Sequence, residues 1–309
     1  MAATSNRDSD MTNAATPQSH ASRLARAAGV VRLLAALAVG LTVAAGCAAV
    51  THRVQPDDVV ATRMSVTMVH LHGSALELHI ATPVSNSPPA SFVLYASGDG
   101  GWFGAAVDMF RTIAARGHPT VGFSSRAFLK LERPAHAALN ARQLAADYAA
   151  ILSEGRRALR LPPGTAAILT GWSRGAALAT IAASETILIG QSRGVVAIGL
   201  GPDEDLAVTE NSDDDDERPV TGAPTAKAPF NLYDRLRRAH PWRCAVIQSS
   251  GDNYLPADRA RLLFGADTPD RRLYTVQARN HRFSGGQRQF GAALLDAIAW
   301  VDRSLPGGQ

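Results

Sequence analysis

The residues best suited to chemistry lie in Gly171-Trp172-Ser173-Arg174-Gly175, which joins the apolar run 166–169 to a segment rich in small residues. In a strand–turn–helix setting, Gly-x-Ser-x-Gly is typical of a nucleophile elbow, in which a tight turn lifts the serine hydroxyl clear of the sheet. Side chains two residues either side of Ser173 would collide with backbone, and the helix N-terminus beneath the serine favours negative charge. The alternative is a glycine-rich turn with an incidental serine, because the bare pattern is common.

A serine hydroxyl needs a base at neutral pH, and that base needs an acid to hold its tautomer. Asp252 follows an apolar run that begins at Arg243, and His281 follows the last predicted strand, 272–277. Ser173, Asp252, His281 is the chain order of the α/β-hydrolase fold. Ligands of parallel sheets bind beyond the carboxyl ends of the strands, where all three residues are expected. The spacing therefore predicts a catalytic triad that transfers an acyl group to water.

Each partner of the serine has a simpler interpretation. Asp252 could cap the helix that begins near Pro256, and His281 could be a surface residue, one of nine histidines. We favour the triad because Asp252 sits in a Gly-Asp turn after a strand and His281 alone of the histidines follows the last strand. Asp267 and Asp270 are fallback acids, but they precede that strand and so fall at the wrong edge.

A second glycine-rich run, Ser97-Gly-Asp-Gly-Gly-Trp102, follows the apolar strand 91–96 and precedes a predicted helix, 105–116. Glycines allow backbone amides to approach a ligand closely. Dinucleotide binding is a weaker interpretation, because the run is not G-x-G-x-x-G. Serine hydrolases take one oxyanion-hole amide from such a loop and one from the residue after the nucleophile, which here are Asp99 and Arg174. The predicted substrate-binding residues are Gly98, Gly100, Trp102 and Trp172.

Apolar runs alternate with helical patterns, which predicts an α/β fold with a mostly parallel, doubly wound sheet and helices on both faces. Continuous apolar strands such as 194–200 are typical of parallel sheets, and the spacing in 144–159 predicts a core-packing helix. An initial hairpin is predicted, with strands 65–71 and 76–80. The polar face of this hairpin holds His70, His72, Glu77 and His79. These residue types could bind zinc, but we favour the simpler interpretation of an alternating apolar and polar pattern in a half-buried sheet.

The pattern of residues near the N-terminus predicts that the protein is exported. Arginines, an apolar run and small residues follow one another as in a bacterial secretory signal. The sequence Ala44-Ala45-Gly46-Cys47 resembles a lipobox, so we expect Cys47 to be lipidated, with plain cleavage or an uncleaved anchor as alternatives. The expected location is the periplasm, with attachment to a membrane. The predicted organisation is a disordered tail (1–22), a signal peptide (23–47), a linker (48–63) and one hydrolase domain (64–309).

Charge is unevenly distributed. The formal net charge is +4, but nine of the 27 acidic residues lie in 203–217, so the rest of the chain carries +13. A basic surface suits nucleic acid, an anionic membrane or an acidic partner; no nucleic-acid module is recognisable, which favours the membrane. The acidic run lies in a loop predicted at 201–229, which we expect to be solvated, with a calcium site or a cover over the active site as alternatives. Cys47 and Cys244 are the only cysteines, so neither a disulfide framework nor a cysteine-based zinc site is expected. No metal or cofactor is predicted.

Three elements resemble the bacterial VirJ/AcvB virulence-protein family: Ser97–Trp102 after an apolar strand, Gly171–Ala176, and Asn280–Phe283. The likeness covers roughly residues 90–305. It implies a periplasmic α/β-hydrolase-fold protein with His281 as base, which hydrolyses aminoacylated phosphatidylglycerol, notably the lysyl form, at the outer face of the inner membrane. The family usually has Tyr, Phe and Asp where this chain has Trp172, Arg174 and Ala177, a difference that concerns the substrate pocket more than the nucleophile.

The sequence thus favours a periplasmic serine hydrolase that cleaves an aminoacyl-lipid or similar ester at an anionic membrane, without nucleic acid or cofactor. Arg174 beside the nucleophile and the acidic loop leave room for a non-catalytic accessory protein that binds secreted proteins or a secretion apparatus. A broad carboxylesterase or thioesterase would keep the same triad and differ only in its substrate.

Overall fold

Strands and helices alternate along most of the chain. The computed structural model describes residues 60–84, 89–131, 139–206, 230–238 and 242–303, all within one compact unit, Val54–Gln309. The strands are β1 (Thr62–Leu71), β2 (Ser74–Pro83), β3 (Ser91–Ala96), β4 (Thr120–Phe123), β5 (Ala166–Trp172), β6 (Ser192–Ile198), β7 (Asp203–Glu204), β8 (Phe230–Asn231), β9 (Arg243–Ser249) and β10 (Arg271–Val276). The helices are α1 (Ala105–Ala115), α2 (Ser125–Leu129), α3 (Ala141–Leu159), α4 (Arg174–Ala183), α5 (Leu232–Arg238), α6 (Ala257–Phe264) and α7 (Gln287–Asp302), with a 3₁₀ turn at Thr186–Leu188.

Eight of these strands form one sheet in the order β1-β2-β4-β3-β5-β6-β9-β10. β2 runs antiparallel to both of its neighbours, and all other neighbouring strands are parallel. In register, Trp172 lies opposite Ile198, and Ile198 lies opposite Ile247. The carboxyl ends of β5, β6 and β9 therefore meet at one edge. The predicted mostly parallel sheet is confirmed.

Helices cover both faces of the sheet. One apolar core lies between the sheet and α1 and α7, with Phe110 and Leu294 among its buried residues. The other lies between the sheet and the remaining helices, with Tyr148 and Leu178 among its buried residues. Because both faces of the central strands are covered, β3, β4 and β9 are buried along their whole length. This double burial explains why these strands are continuous apolar runs in the sequence.

The hairpin of β1 and β2 confirms the predicted alternation. Leu71 pairs with Ser74, so His72 and Gly73 form the two-residue turn. Both have positive φ, 55° and 84°, as the turn of a tight hairpin with right-handed strand twist requires. The apolar residues of the alternating pattern are all buried: Val69, Leu71, Leu76, Leu78 and Ile80.

Local capping explains two helix boundaries. Asn140 caps α3 by accepting a hydrogen bond from the Gln143 amide at 3.0 Å, and the Gln143 side chain accepts from the Asn140 amide at 3.2 Å. This capping box satisfies amides that the first helical turn leaves without partners. Ser124 caps the short helix α2, which the sequence analysis did not predict. No helix in the described part of the chain is long and apolar enough to cross a membrane.

The start of the predicted loop 201–229 is ordered against the domain. β7 pairs with β8, and Glu204 and Leu206 are buried. The expectation of a solvated loop is therefore wrong for Glu204 and Leu206, whose side chains are buried, whereas Asp203 and Asp205 are exposed. Residues 207–229, which hold most of the acidic run, lie outside the described residues, as do the predicted tail, signal peptide and Cys47.

Candidate active site

Ser173 lies in the tight turn between β5 and α4. Its backbone has φ 55° and ψ −121°, a strained conformation for a residue with a side chain. A Cβ at Gly171 would strike the backbone of Gly175, and a Cβ at Gly175 would strike the backbone of Ala96. Helix α4 therefore approaches β3 and β5 more closely than any side chain at these positions would allow. Both glycines have the steric role that the sequence pattern predicts.

Asp252 and His281 are in direct contact. His281 Nδ1 lies 2.7 Å from Asp252 Oδ2, and only 8% of His281 and 1% of Asp252 are exposed. A buried carboxylate on Nδ1 places the proton there and leaves Nε2 as the basic nitrogen. The structure thus brings two of the three predicted triad residues together, from the loops after β9 and β10.

The Asp252 carboxylate is held by four donors. Besides His281, Oδ2 accepts from Gln248 Nε2 at 3.1 Å, and Oδ1 accepts from the amides of Tyr254 and Leu255 at 2.9 and 3.3 Å. Helix α6 begins after Pro256 without a side-chain cap, so the capping interpretation of Asp252 is wrong. Gln248 could not be identified from the sequence, since nothing in a strand residue's type shows that its side chain will reach the next loop.

The two fallback acids are engaged elsewhere. Asp267 pairs with Arg261 and accepts a hydrogen bond from the Leu273 amide at 3.1 Å. Asp270 accepts from the Thr268 hydroxyl. Both bonds stabilise the turn that leads into β10, at the edge opposite to the triad residues, and the structure gives neither acid a contact with His281.

The His281 ring is enclosed on three sides. Trp172 stacks on it with ring centroids 5.6 Å apart, and Tyr254 meets it edge-on at 4.9 Å. A Cβ on Gly199 would fall 2.7 Å from His281 Cε1, and Gly199 has φ +58°. Any side chain at position 199 would displace the ring, so Gly199 is a site residue that the sequence analysis missed. Trp172 lies beside His281, and its substrate-binding role stays a prediction.

Ser173 and His281 each contact one of two consecutive residues, Ile198 and Gly199. The Ser173 amide donates to Ile198 O at 2.8 Å, and the next residue, Gly199, lies against the imidazole. Among the described residues, His281 Nε2 is buried without a hydrogen-bond partner, while Ser173 is partly exposed. The structure therefore records no hydrogen bond between the Ser173 hydroxyl and Nε2. In free enzymes catalytic hydrogen bonds commonly tighten only when substrate binds.

The loop after β3 lies against the nucleophile. A Cβ on Gly98 would be 3.4 Å from Ser173 Cβ and 3.2 Å from the Trp172 ring. Asp99 follows directly, and its amide makes no backbone hydrogen bond within the described part of the chain. Gly100 faces the Phe103 ring instead of Ser173. The Asp99 amide therefore lies in a loop that borders Ser173, and its role as an oxyanion donor stays a prediction.

Trp102 is not placed as predicted. Its ring stacks on His79 with centroids 4.1 Å apart and meets Tyr95 and Phe110 edge-on. It also covers Gly122, where a Cβ would collide with the indole. Its contacts therefore belong to the packing of α1 against the sheet, and the substrate-binding assignment of Trp102 does not fit them.

The Arg174 side chain is the centre of an ion-pair cluster that the sequence analysis missed. Its Nε lies 3.0 Å from Asp99 Oδ1 and 3.3 Å from Glu204 Oε2. Burial raises the pKa of both carboxyls, and the guanidinium opposes that rise. The one feature of the sequence that could have indicated this cluster is Arg174 itself, at a position where the VirJ/AcvB family usually has Phe.

Two histidines of the hairpin each pair with one carboxylate. His79 Nε2 lies 3.1 Å from Glu77 Oε1, and His72 Nε2 lies 2.7 Å from Asp147 Oδ1. His72 turns towards α3, whereas His79 faces α1, because His72 occupies the turn. No cluster of three or more metal-ligating side chains occurs among the residues that the structure describes.

Solved structures with the same architecture are α/β-hydrolases. The esterase domain of a Rhodothermus marinus protein matches with a TM-score of 0.51 and 19% identity over 79% of this chain and 100% of that chain. Est1E of Butyrivibrio proteoclasticus matches with 0.53 and 12% over 76% and 99%, and the dienelactone hydrolase of Anabaena variabilis with 0.51 and 17% over 79% and 99%. At such identities the likeness shows the fold alone, and this chain has the α/β-hydrolase fold.

Comparisons of sequence give no family. No protein-family model matches the chain, and no curated protein matches it. The resemblance to the VirJ/AcvB family therefore stays a prediction.

Proposed function

We propose that this protein is a serine hydrolase of ester bonds. Ser173 attacks the acyl carbon, His281 takes the hydroxyl proton and passes it to the leaving alcohol, and Asp252 orients His281 and stabilises its cationic form. Water then repeats the sequence on the acyl-enzyme. The observation that carries the proposal is the buried contact of 2.7 Å between Asp252 and His281 Nδ1, next to a serine in a strained elbow.

Backbone amides of Asp99 and Arg174 are proposed to hold the oxyanion. The Arg174 amide is at the N-terminus of α4, where helix amides and the helix dipole favour negative charge. The Asp99 loop lies against Ser173 from the other side. Donors aimed at the developing charge from two directions are the arrangement that acyl transfer requires.

We further propose that the substrate is an aminoacylated phospholipid, of the lysyl-phosphatidylglycerol type, hydrolysed in the periplasm by a membrane-attached protein. The resemblance to the VirJ/AcvB family supports this substrate, and the predicted lipidation of Cys47 supports the location. The formal charge of +13 outside 203–217 suits an anionic bilayer. The elbow residues Trp172 and Arg174, at which the chain differs from the family, line the nucleophile and would adapt the pocket.

The test is hydrolysis of p-nitrophenyl acetate and of lysyl-phosphatidylglycerol in vesicles, by wild type and Ser173→Ala. The variant should lose at least about 10³-fold in kcat for either ester, because its nucleophile is gone. Equal rates in both proteins would end the proposal. Hydrolysis of the small ester alone, lost in Ser173→Ala, would leave a carboxylesterase or thioesterase with another substrate.

One observation favours a second candidate, a non-catalytic accessory protein that binds secreted proteins or a secretion apparatus. His281 Nε2 has no hydrogen-bond partner in the described part of the chain, so the serine is not yet activated in this conformation. Labelling with a fluorophosphonate separates the two candidates. An esterase should be modified at Ser173 within minutes, whereas a protein with an unactivated serine should remain unlabelled.

A further inference from the structure

The Arg174 side chain lies between three segments of the site. It follows the nucleophile in the elbow, contacts Asp99 in the loop after β3 at 3.0 Å, and contacts Glu204 in β7 at 3.3 Å. Asp205 lies further away, with 3.9 Å between Nη2 and Oδ1. Only 13% of the Arg174 side chain is exposed. A buried guanidinium with several donors in a rigid plane can hold two carboxylates at once.

Glu204 is the firmly held end of this arrangement. Its Oε1 accepts hydrogen bonds from the amides of Asp205 and Leu206 at 3.1 and 2.8 Å. The strand that carries it pairs with β8, and the Leu232 amide donates to Pro202 O at 2.9 Å. The carboxylate that meets Arg174 is therefore fixed by its own backbone.

Asp99 is the weakly held end. It lies in a run with glycines at 98, 100 and 101, and Gly101 has φ +93°. Ser97 anchors one side of the loop, since its Oγ accepts from the Ser125 amide at 3.1 Å. Beyond that anchor the glycines offer no side chain to pack, and glycine backbone loses the most entropy when it is ordered. The backbone turn is closed by the Gly101 amide, which donates to Gly98 O at 3.1 Å, and the ion pair to Arg174 adds a restraint on the Asp99 side chain itself.

We propose that Arg174 is a positioning residue: held by Glu204, its side chain fixes Asp99, so that the Asp99 and Arg174 amides converge on the oxyanion. The inference rests on the proposed hydrolase function and adds a side-chain role to it. The ion pair joins the same two residues whose backbone amides form the proposed oxyanion hole. One side chain therefore links both donors, and pre-organised donors are the main source of oxyanion stabilisation.

The experiment compares wild type with Arg174→Met and Asp99→Ala, which keep both backbone amides. Arg157→Met is the matched control, because Arg157 is an exposed arginine of α3 that pairs with Glu154. Hydrolysis of p-nitrophenyl acetate gives kcat and KM, and inhibition by phenylboronic acid, which forms a tetrahedral adduct with serine, reports oxyanion stabilisation. The double variant Arg174→Met/Asp99→Ala shows whether the two side chains act together.

Each single variant should lose about tenfold to 100-fold in kcat, the cost of a misplaced catalytic group, with KM nearly unchanged. Affinity for phenylboronic acid should fall by a similar factor, and the double variant should lose no more than the worse single one. Arg157→Met should behave as wild type. If Arg174→Met does not fold, Asp99→Ala still tests the contact, because the Asp99 side chain is partly exposed and its removal leaves the core intact.

Two failures are distinguishable. A wild type with Ser173-dependent hydrolysis, in which Asp99→Ala and any folded Arg174→Met retain the kcat and boronate affinity of Arg157→Met, would overturn the positioning role alone. A higher KM in these variants, with boronate affinity unchanged, would also overturn the positioning role. A wild type without Ser173-dependent hydrolysis would overturn the proposed function, and the inference with it.

Discussion

At the scale of single residues, the site depends on a buried carboxylate that is fully engaged. Asp252 meets His281 at 2.7 Å and Gln248 at 3.1 Å through the same oxygen. The positions of Ser173, Asp252 and His281 beyond the carboxyl ends of β5, β9 and β10 could be predicted because each follows an apolar run, whereas their roles stay a proposal. Gln248 and Gly199 could not be predicted, because Gln248 acts through a side chain that folds back onto the loop after its own strand, and Gly199 through a close approach to His281, which is distant in sequence.

Gln248→Met tests this support for the acid. Gln248 Nε2 also donates to Leu255 O at 2.5 Å, so the variant loses two buried hydrogen bonds. We expect about 1–3 kcal/mol less unfolding free energy, the usual cost of leaving a buried polar group without a partner. The kcat for p-nitrophenyl acetate should fall about tenfold, since Asp252 is less well oriented. Urea denaturation and steady-state kinetics measure both effects.

The control for that variant is Gln289→Met. Gln289 is exposed, and its side chain bonds backbone groups of Gln277 and Thr275. Because exposed groups exchange such bonds for water, Gln289→Met should change the unfolding free energy by less than about 0.5 kcal/mol. Equal effects of the two substitutions would contradict the role given to Gln248.

At the scale of elements, strands and helices were predictable wherever burial dictated the pattern. Helix α3 was expected at 144–159 and spans Ala141–Leu159; its true start follows from the capping box of Asn140 and Gln143. Helix α2, with five residues, is too short to show a period. Trp102 was misassigned because a tryptophan after a glycine loop looks the same in sequence whether it faces a pocket or packs on the sheet.

The packing of Trp102 on His79 predicts an acid-sensitive hairpin. Burial lowers the pKa of His79 below its ordinary value of 6.5, and Glu77 opposes that shift. The unfolded chain therefore takes up this proton before the folded protein does, so the unfolding free energy falls as the pH drops below about 6.5. His79→Phe keeps the ring stack and removes the proton. Between about pH 7.5 and about pH 5.5 it should lose less unfolding free energy than wild type.

Urea denaturation at the two pH values measures this difference. His70→Phe is the matched control, because His70 is exposed on β1 and the substitution leaves His79 in place. It should keep the wild-type loss at acid pH. An equal or larger acid-side loss in His79→Phe than in wild type would show that the proton on His79 is not the cause.

At the scale of the whole molecule, alternating apolar runs were sufficient for the α/β-hydrolase fold and for the sheet edge that carries the site. They were not sufficient to predict the ion-pair cluster of Arg174, Asp99 and Glu204. Charged residues in a loop are expected to be exposed to solvent unless a buried partner is known. Arg174 lies 75 residues after Asp99 and 30 residues before Glu204 in the chain, and only the folded sheet brings the three segments together. The proposed function therefore depends on the fold and on the side chains at the carboxyl ends of the central strands.

The most direct test of the central claim is a double-mutant cycle on Ser173 and His281. The kcat/KM for p-nitrophenyl acetate is measured for wild type, Ser173→Ala, His281→Gln and the double variant. If the two residues act as one unit, each single variant should lose about 10³-fold or more, and the double variant should be no worse than the poorer single one. Wild-type activity in His281→Gln, or losses that multiply in the double variant, would contradict the account.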